Sequence, residues 1–279
     1  MVNRKELNPD AGPVAAFGVR LRSLREAREW TQERLAERLD YSSQHISAVE
    51  TGRKPPTRRF SRDLDACFGL EGLADSFERA WGEIRHGNLL QGFPEYLRYE
   101  GRAVEIRLFE VGIIPGLLQA PGYAQALVNG AVHRGAITEE QGVERVEFLA
   151  ERQAALVRPR PPMVTVVMDE SCIRRPVGGR EVMDAQLARL VEFAALPNTV
   201  LHIAPYDIGE RRTFNRPVNL LTLPDCSLVS YVESQTQGHM ERETTAVRPL
   251  LTAYHQLQAV SLAQAASVDM INEVRKGTP

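Results

Sequence analysis

The chain has 279 residues, 43% of them apolar and 25% charged, an ordinary globular composition that excludes disorder as its main state. At roughly 100–200 residues per domain, two domains are expected. The formal net charge of −2 speaks against a nucleic-acid binder only if it is evenly spread, and it is not. Residues 1–68 hold 13 Lys and Arg against 10 Asp and Glu, so the remainder carries the negative excess. Residues 51–62, TGRKPPTRRFSR, contain five basic residues and no acid. A local cluster of this kind suits phosphate contact, although taken alone its default reading is a solvated loop and helix start.

No apolar run reaches the roughly 18 residues of a membrane span. The nearest, Phe109 to Val128, is broken by Glu110, Pro115, Gln119 and Pro121. The opening residues, MVNRKELNPD, lack the apolar core of a signal peptide, so a cytoplasmic location is expected. Cys67, Cys172 and Cys226 are odd in number and far apart, which suggests neither a disulfide framework nor a metal-ligand set.

In chain order, residues 14–29 read as a helix, with Phe17, Leu21 and Leu24 on one face. A second helix follows Thr31, a good N-cap residue, with Trp30 and Leu35 placed as a hydrophobic staple and Leu35, Ala36 and Leu39 inward. Asp40-Tyr41 ends it. A third runs from about Ser42 to Thr51 and is closed by Gly52, which is free to adopt the left-handed conformation. A fourth starts at Thr57 with Phe60, Leu64, Cys67 and Phe68 inward, and a fifth is expected over residues 73–85. Residues 86–92, HGNLLQG, read as a boundary between domains 1–87 and 88–279. Beyond it, 93–108 and 121–130 look helical around an apolar turn at 111–118, and 138–157 form an amphipathic helix. Strands are expected at 163–168, 200–204, 218–223 and 228–233, with helices at 181–196, 243–260 and 262–276. The fold class is therefore an N-terminal all-α helix-turn-helix bundle followed by a larger α+β domain.

The stretch TQERLAERLDYSSQHISAVETG, residues 31–52, has the order helix, tight turn, helix. At 100° per residue, Ile46, Val49 and Glu50 share one side of its second helix. Ser43, Gln44, Ser47 and Ala48 share the other, with His45 on the flank. Small and amide side chains on an exposed face suit base edges: Gln pairs with adenine, Ser with several edges, Ala with a thymine methyl. The competing reading is a helical bundle with no DNA role.

On LRSLREAREWTQERLAERL and HISAVETGRKPP, residues 17–68 resemble the xenobiotic-response-element helix-turn-helix domain shared by lambdoid phage repressors. The resemblance implies phosphate contacts from Gln32 and Ser42. It implies base contacts from Ser43, Gln44 and Ser47, with Ala48 and His45 beside them, and a path along the DNA backbone for Arg53, Lys54 and Arg58. It also implies an ion pair between Arg25 and Glu50. Asp40 departs from the glycine usual in that turn. The fold class usually reads two half-sites, so a homodimer on a roughly palindromic stretch of double-stranded DNA is expected.

The motifs YLRYEGRAVEIRLFE, VGIIPGLLQAPGYAQALV, ERQAALVRPRPP, MDESCIRRPVGGREVMDAQLARL, IAPYDIGE and VSYVESQTQG resemble the large domain of actinobacterial WhiJ-type regulators, also described as antitoxin-like. That resemblance implies reception of a signal, commonly from a small partner protein encoded nearby, and no catalysis. Within PGLLQAPGYA, the side chains of Leu117, Leu118, Gln119 and Tyr123 are the candidate receiving surface, a packed core turn being the alternative. Glu100, Glu110, Asp169, Glu170 and Glu233 are potential acid–base groups, but ion pairing with Arg152, Arg174 or Arg175 is the simpler expectation. His202 reads as a core histidine with its hydrogen bonds satisfied. No nucleophile elbow, zinc-protease motif, phosphate loop or dinucleotide fingerprint is present in the sequence, so no enzyme activity, cofactor or metal is expected. Two readings of the larger domain stay open. A small-molecule sensor would carry an apolar pocket with a few polar groups; a protein receiver would expose an apolar patch. An enzyme with an appended DNA module is a distant third.

Overall fold

The computed structural model describes residues 12–87, 92–234 and 237–277. The chain divides into two compact units, Met1–Gln91 and Gly92–Pro279, and each is taken by itself. Of the boundary expected over 86–92, residues 88–91 lie outside the described residues, as do the opening residues 1–11.

The first unit is helical: α1 (Pro13–Ala27), α2 (Gln32–Leu39), α3 (Ser43–Glu50), α4 (Arg58–Phe68) and α5 (Phe77–Gly87). Thr31, Ser42 and Thr57 cap α2, α3 and α4, each side chain accepting from the backbone N–H three residues on. Asp40 closes α2 in the left-handed region (φ 57°, ψ 45°), and Gly52 follows α3 at φ 65°. The core gathers Phe17, Leu21, Leu35, Ala36, Ile46, Val49, Phe60 and Leu64. Trp30 packs against this cluster and stacks on Phe68. α5 starts four residues later than expected. Gly72 takes a positive φ, and the buried Asp65 carboxylate accepts from the backbone N–H groups of Phe77 and Glu78, fixing where the helix begins.

One close approach sets the geometry of this unit. A Cβ on Gly18 would lie 2.6 Å from the carbonyl oxygens of both Val49 and Glu50. Only glycine lets α1 come this near the end of α3.

The second unit is built on a six-stranded sheet in the order β3-β2-β1-β4-β5-β6. Its strands are β1 (Glu105–Glu110), β2 (Met163–Asp169), β3 (Thr199–Ala204), β4 (Val218–Thr222), β5 (Leu228–Glu233) and β6 (Gly238–Glu241). β1, β2 and β3 are parallel, whereas β4, β5 and β6 continue antiparallel. The helices are α6 (Phe93–Glu100), α7 (Pro121–His133), α8 (Glu139–Ala154), α9 (Ser171–Arg174), α10 (Arg180–Ala194), α11 (Thr244–Val260) and α12 (Gln264–Lys276). The larger core lies on one face of the sheet, joining Ile106, Leu108, Val166 and Leu201 to Tyr96, Leu187, Leu190 and Ile271. The smaller core joins Phe109, Val167, Ala204 and Leu220 to Val247, Tyr254 and Leu257 of α11.

The helix expected over 93–108 is corrected. It stops at Glu100, and 105–110 form a strand paired on both sides. Gly101 and Arg102 turn the chain after α6, and the alternation of Ile106 and Leu108 with charged neighbours fits a pleated strand. β6 was not expected from the sequence either; of the motif 229–238, residues 235–236 lie outside the described residues.

The outer edge of β3 is covered by the chain that leads into α12. Ile203 accepts from the Leu262 N–H, the Ile203 N–H donates to Ser267 Oγ, and the Leu201 N–H donates to Gln264 Oε1. His202 is a satisfied histidine, with Nδ1 2.8 Å from the Leu262 carbonyl and Nε2 3.0 Å from the Gln258 amide.

Candidate nucleic-acid interface and a cavity in the second unit

α3 leaves Gln44 exposed to solvent, with Ser43, Ser47 and Ala48 partly exposed around it, while Ile46, Val49 and Glu50 are buried. The side expected to meet bases is therefore the outer side of this helix. Its orientation is fixed from below by charge. Arg25 donates from Nε to Glu50 Oε1 at 2.5 Å and from Nη2 to Oε2 at 3.0 Å, a two-point pair with both groups buried. The hydrogen bond it donates to Glu50 holds the Arg25 guanidinium above its usual pKa, against the pull of burial. The pair expected from the resemblance is present. The sequence reading missed two further partners: Gln32 Nε2 donates to Glu50 Oε2 at 2.7 Å, and Arg22 Nε lies 3.5 Å from the same oxygen.

Gln32, assigned to phosphate, thus has one amide donor engaged inside the unit. Ser42 accepts from the His45 N–H at 3.1 Å and keeps its hydroxyl proton for an outside acceptor. His45 itself is corrected. Its ring packs against Tyr41 and Phe60, with centroids 4.9 Å from each, and its Nε2 is buried without a hydrogen-bond partner among the described residues. Burial, aided by Lys54, pushes the ring below the usual histidine pKa. It is a packing residue of the α3–α4 junction, not part of the outer face.

The basic loop is tied to the end of α3, because the backbone N–H groups of Arg53 and Lys54 both donate to the Ala48 carbonyl. Arg53 is exposed, whereas Lys54 is partly buried. Arg58 is exposed but pairs with Glu78 at 3.0 Å and lies over the Trp81 ring.

In the second unit the candidate receiving surface is overturned in favour of its alternative, a packed core turn. Leu117, Leu118, Gln119 and Tyr123 are all buried, Tyr123 at 0% exposure. The turn carrying them is apolar and its polar backbone groups are met internally. Gln186 accepts from the Ala120 N–H and donates to the Leu118 carbonyl, and Gln153 donates to the carbonyls of Gly116 and Gln119. Gln119 Nε2 donates to the Ile114 carbonyl, and the Tyr123 hydroxyl accepts from the Ile114 N–H. A segment whose hydrogen bonds close inward in this way packs as core.

Three of the five candidate carboxylates form ion pairs: Glu100 with Arg152, Glu170 with Arg174 and Asp169 with Arg212. The other two, Glu110 and Glu233, line a common cavity of about 310 Å³. Sheet register places them there. Leu108, Asn219 and Tyr231 are direct partners across β1, β4 and β5. Glu110, Pro217 and Glu233 stand two residues further along the same face. Phe93, Val111, Ile113, Pro115, Leu117 and Arg152 complete the wall. Burial, reinforced by Glu233, pushes the Glu110 carboxyl up to about 8. Cys172 is buried behind it, with Sγ 3.4 Å from the Glu110 carbonyl, and burial drives its thiol well above the usual range, opposite to an activated nucleophile.

Among the described residues no helix is long and apolar enough to cross a membrane, and no group of three potential metal ligands is found. Comparison with known proteins finds a helix-turn-helix domain over residues 16–75 and a domain of unknown function, DUF5753, over residues 93–273. No curated protein and no solved structure matches the chain. The first match covers the capped α2–turn–α3 arrangement and supports a DNA-binding regulator. The second spans well over half of the chain, which therefore belongs to the DUF5753 family and carries that domain behind a helix-turn-helix domain.

Proposed function

We propose that the chain is a sequence-specific transcriptional regulator that reads double-stranded DNA through α3, and that its second unit receives the signal controlling it. The observation that carries this reading is the outer side of α3. Gln44 stands exposed among Ser43, Ser47 and Ala48, on a helix held by the Arg25–Glu50 pair and followed by a basic loop. Gln44 is the base reader, and Ser42, Arg53 and Lys54 are the phosphate contacts in this proposal. The functional unit is a homodimer on a roughly palindromic operator, because one such helix reads only a half-site. Selection of bound duplexes from a random pool, followed by affinity measurement on the winning and scrambled sequences, tests this. Equal affinity for both overturns the sequence-specific reading.

For the second unit, resemblance to WhiJ-type, antitoxin-like regulators supports a small protein partner. The inward packing of Leu117, Leu118 and Tyr123 removes the surface first expected to receive it. The cavity between Glu110, Arg152 and Tyr231 favours the alternative, a small-molecule signal. Its volume lies at the low end of the roughly 300–1,000 Å³ typical of such sites. The unit is proposed to act by binding, without catalysis, since its sequence carries none of the recognised catalytic motifs.

A further inference from the structure

The cavity is sided in charge. Its one cation among the described residues, Arg152, donates from Nε and Nη2 to both oxygens of Glu100 at 2.6 Å, and Glu100 also accepts from the Tyr96 hydroxyl at 2.7 Å. Arg152 and Glu100 are therefore a closed, mutually neutralised pair, buried with the guanidinium over the rings of Phe93 and Tyr96. The other two groups of the wall that can carry charge near neutral pH are carboxyls. Glu233 accepts from the Tyr231 hydroxyl at 3.0 Å, and Glu110 accepts from its neighbouring Val111 N–H at 3.3 Å. Among the described residues neither forms a salt bridge. Around them the wall is apolar and aromatic: Phe93, Leu108, Val111, Ile113, Leu117 and Tyr231.

We propose that this cavity binds a small organic ammonium ion, its charged head against Glu110 and Glu233 and its apolar body against Phe93, Leu108 and Tyr231. The inference rests on reading the cavity as the signal-receiving site. Charge complementarity selects the cation. A partly buried carboxylate without a counter-charge is costly, and an ammonium supplies both the charge and the hydrogen-bond donors it lacks. Aromatic faces add attraction for a cation and not for an anion. A carboxylate ligand would meet the like charge of Glu233 and an arginine whose Nε–Nη2 edge is already taken by Glu100. Because the Glu110 carboxyl is pushed up to about 8, it holds a proton in the free protein near neutral pH. Ammonium binding then drives that proton off into the buffer.

Titration calorimetry of the full chain tests this with three probes of similar shape: 2-phenylethylammonium, 2-phenylethanol and 3-phenylpropanoate. The ammonium is expected to bind with a single site, at least about tenfold tighter than the other two. Its binding heat in buffers of different ionisation enthalpy should report release of somewhat less than about one proton per ligand at pH 7. Glu110→Gln, which keeps shape and removes the charge, should erase the preference while the alcohol binds as before. If the alcohol or the carboxylate binds the wild type as tightly as the ammonium, the amine class is overturned and a small-molecule site stands. If none binds up to about 10 mM, near the weak limit of useful affinity, the small-molecule reading falls with it. The comparison of probes on the wild type needs no variant to fold.

Discussion

Glu50 is the residue on which the DNA-reading unit turns. It is fully buried and takes hydrogen bonds from Arg25 and Gln32. Glu50→Ala leaves the buried Arg25 guanidinium with only the exposed Glu26, 3.6 Å away, as a counter-charge, a loss of about 3–5 kcal/mol. Urea melts should show this, and a loss below about 1 kcal/mol, the value of an exposed pair, would reject the buried role. Gln44→Ala acts differently: stability is unchanged, affinity for the preferred operator falls by about 1–3 kcal/mol, and preference relaxes at one base position. Arg53→Ala should weaken binding to all duplexes alike and flatten the salt dependence. Two titrating side chains give the two units opposite pH slopes. His45 is held below its ordinary 6.5, so its contribution is present above pH 6.5 and lost as the pH falls through its lowered value. Glu110 is raised from 4.5 to about 8, with Glu233 opposing and Arg152 favouring its charge. Its contribution is complete below pH 4.5 and lost as the pH rises through about 8, on the order of a few kcal/mol. Melting each unit across pH 4–9, with His45→Phe and Glu110→Gln as controls, checks both signs; a slope that survives its own substitution assigns it elsewhere.

At the scale of elements, the contact of α1 with α3 has no tolerance. Gly18→Ala places a methyl group 2.6 Å from two backbone oxygens, which cannot rotate away as a side chain can. Helix α1 must then lift, drawing Arg25 from Glu50, so loss of stability and of DNA binding together is expected. A normal melting temperature and operator affinity would show that α1 shifts freely. The first unit was legible because its signals are local: Thr31 caps α2 where a cap was expected, Ser42 and Thr57 stand where helices were expected to begin, and Gly52 closes α3. The reading failed where the deciding contact is distant. β1 is a strand because β2 and β4 flank it, and neither lies near it in sequence. Leu117, Leu118 and Tyr123 looked exposed because turn residues surround them, but Gln153 and Gln186, far along the chain, close that turn inward. The cavity was invisible for the same reason: its two carboxyls meet only through the register of β1, β4 and β5.

At the scale of the whole molecule, the proposed reader and the proposed receiver lie on one chain, which requires that occupancy of one alters the other. Saturating the full chain with 2-phenylethylammonium should change operator affinity, and the operator should change ammonium affinity by the same factor. Identical affinities in all four measurements would leave the two units uncoupled. Light scattering with and without operator tests the homodimer: a mass of one chain in both conditions excludes it.

The covered margin of β3 has one further consequence. A sheet whose last strand leaves its N–H and carbonyl groups open is a template on which other chains can add strands. Here Gln264, Ser267 and the Leu262 backbone occupy those groups, so sheet-to-sheet growth is blocked on that side and confined to β6, a short strand bearing Glu241. Replacing both Gln264 and Ser267 by alanine should leave the helices in place while turning a well-behaved protein into one that self-associates on storage.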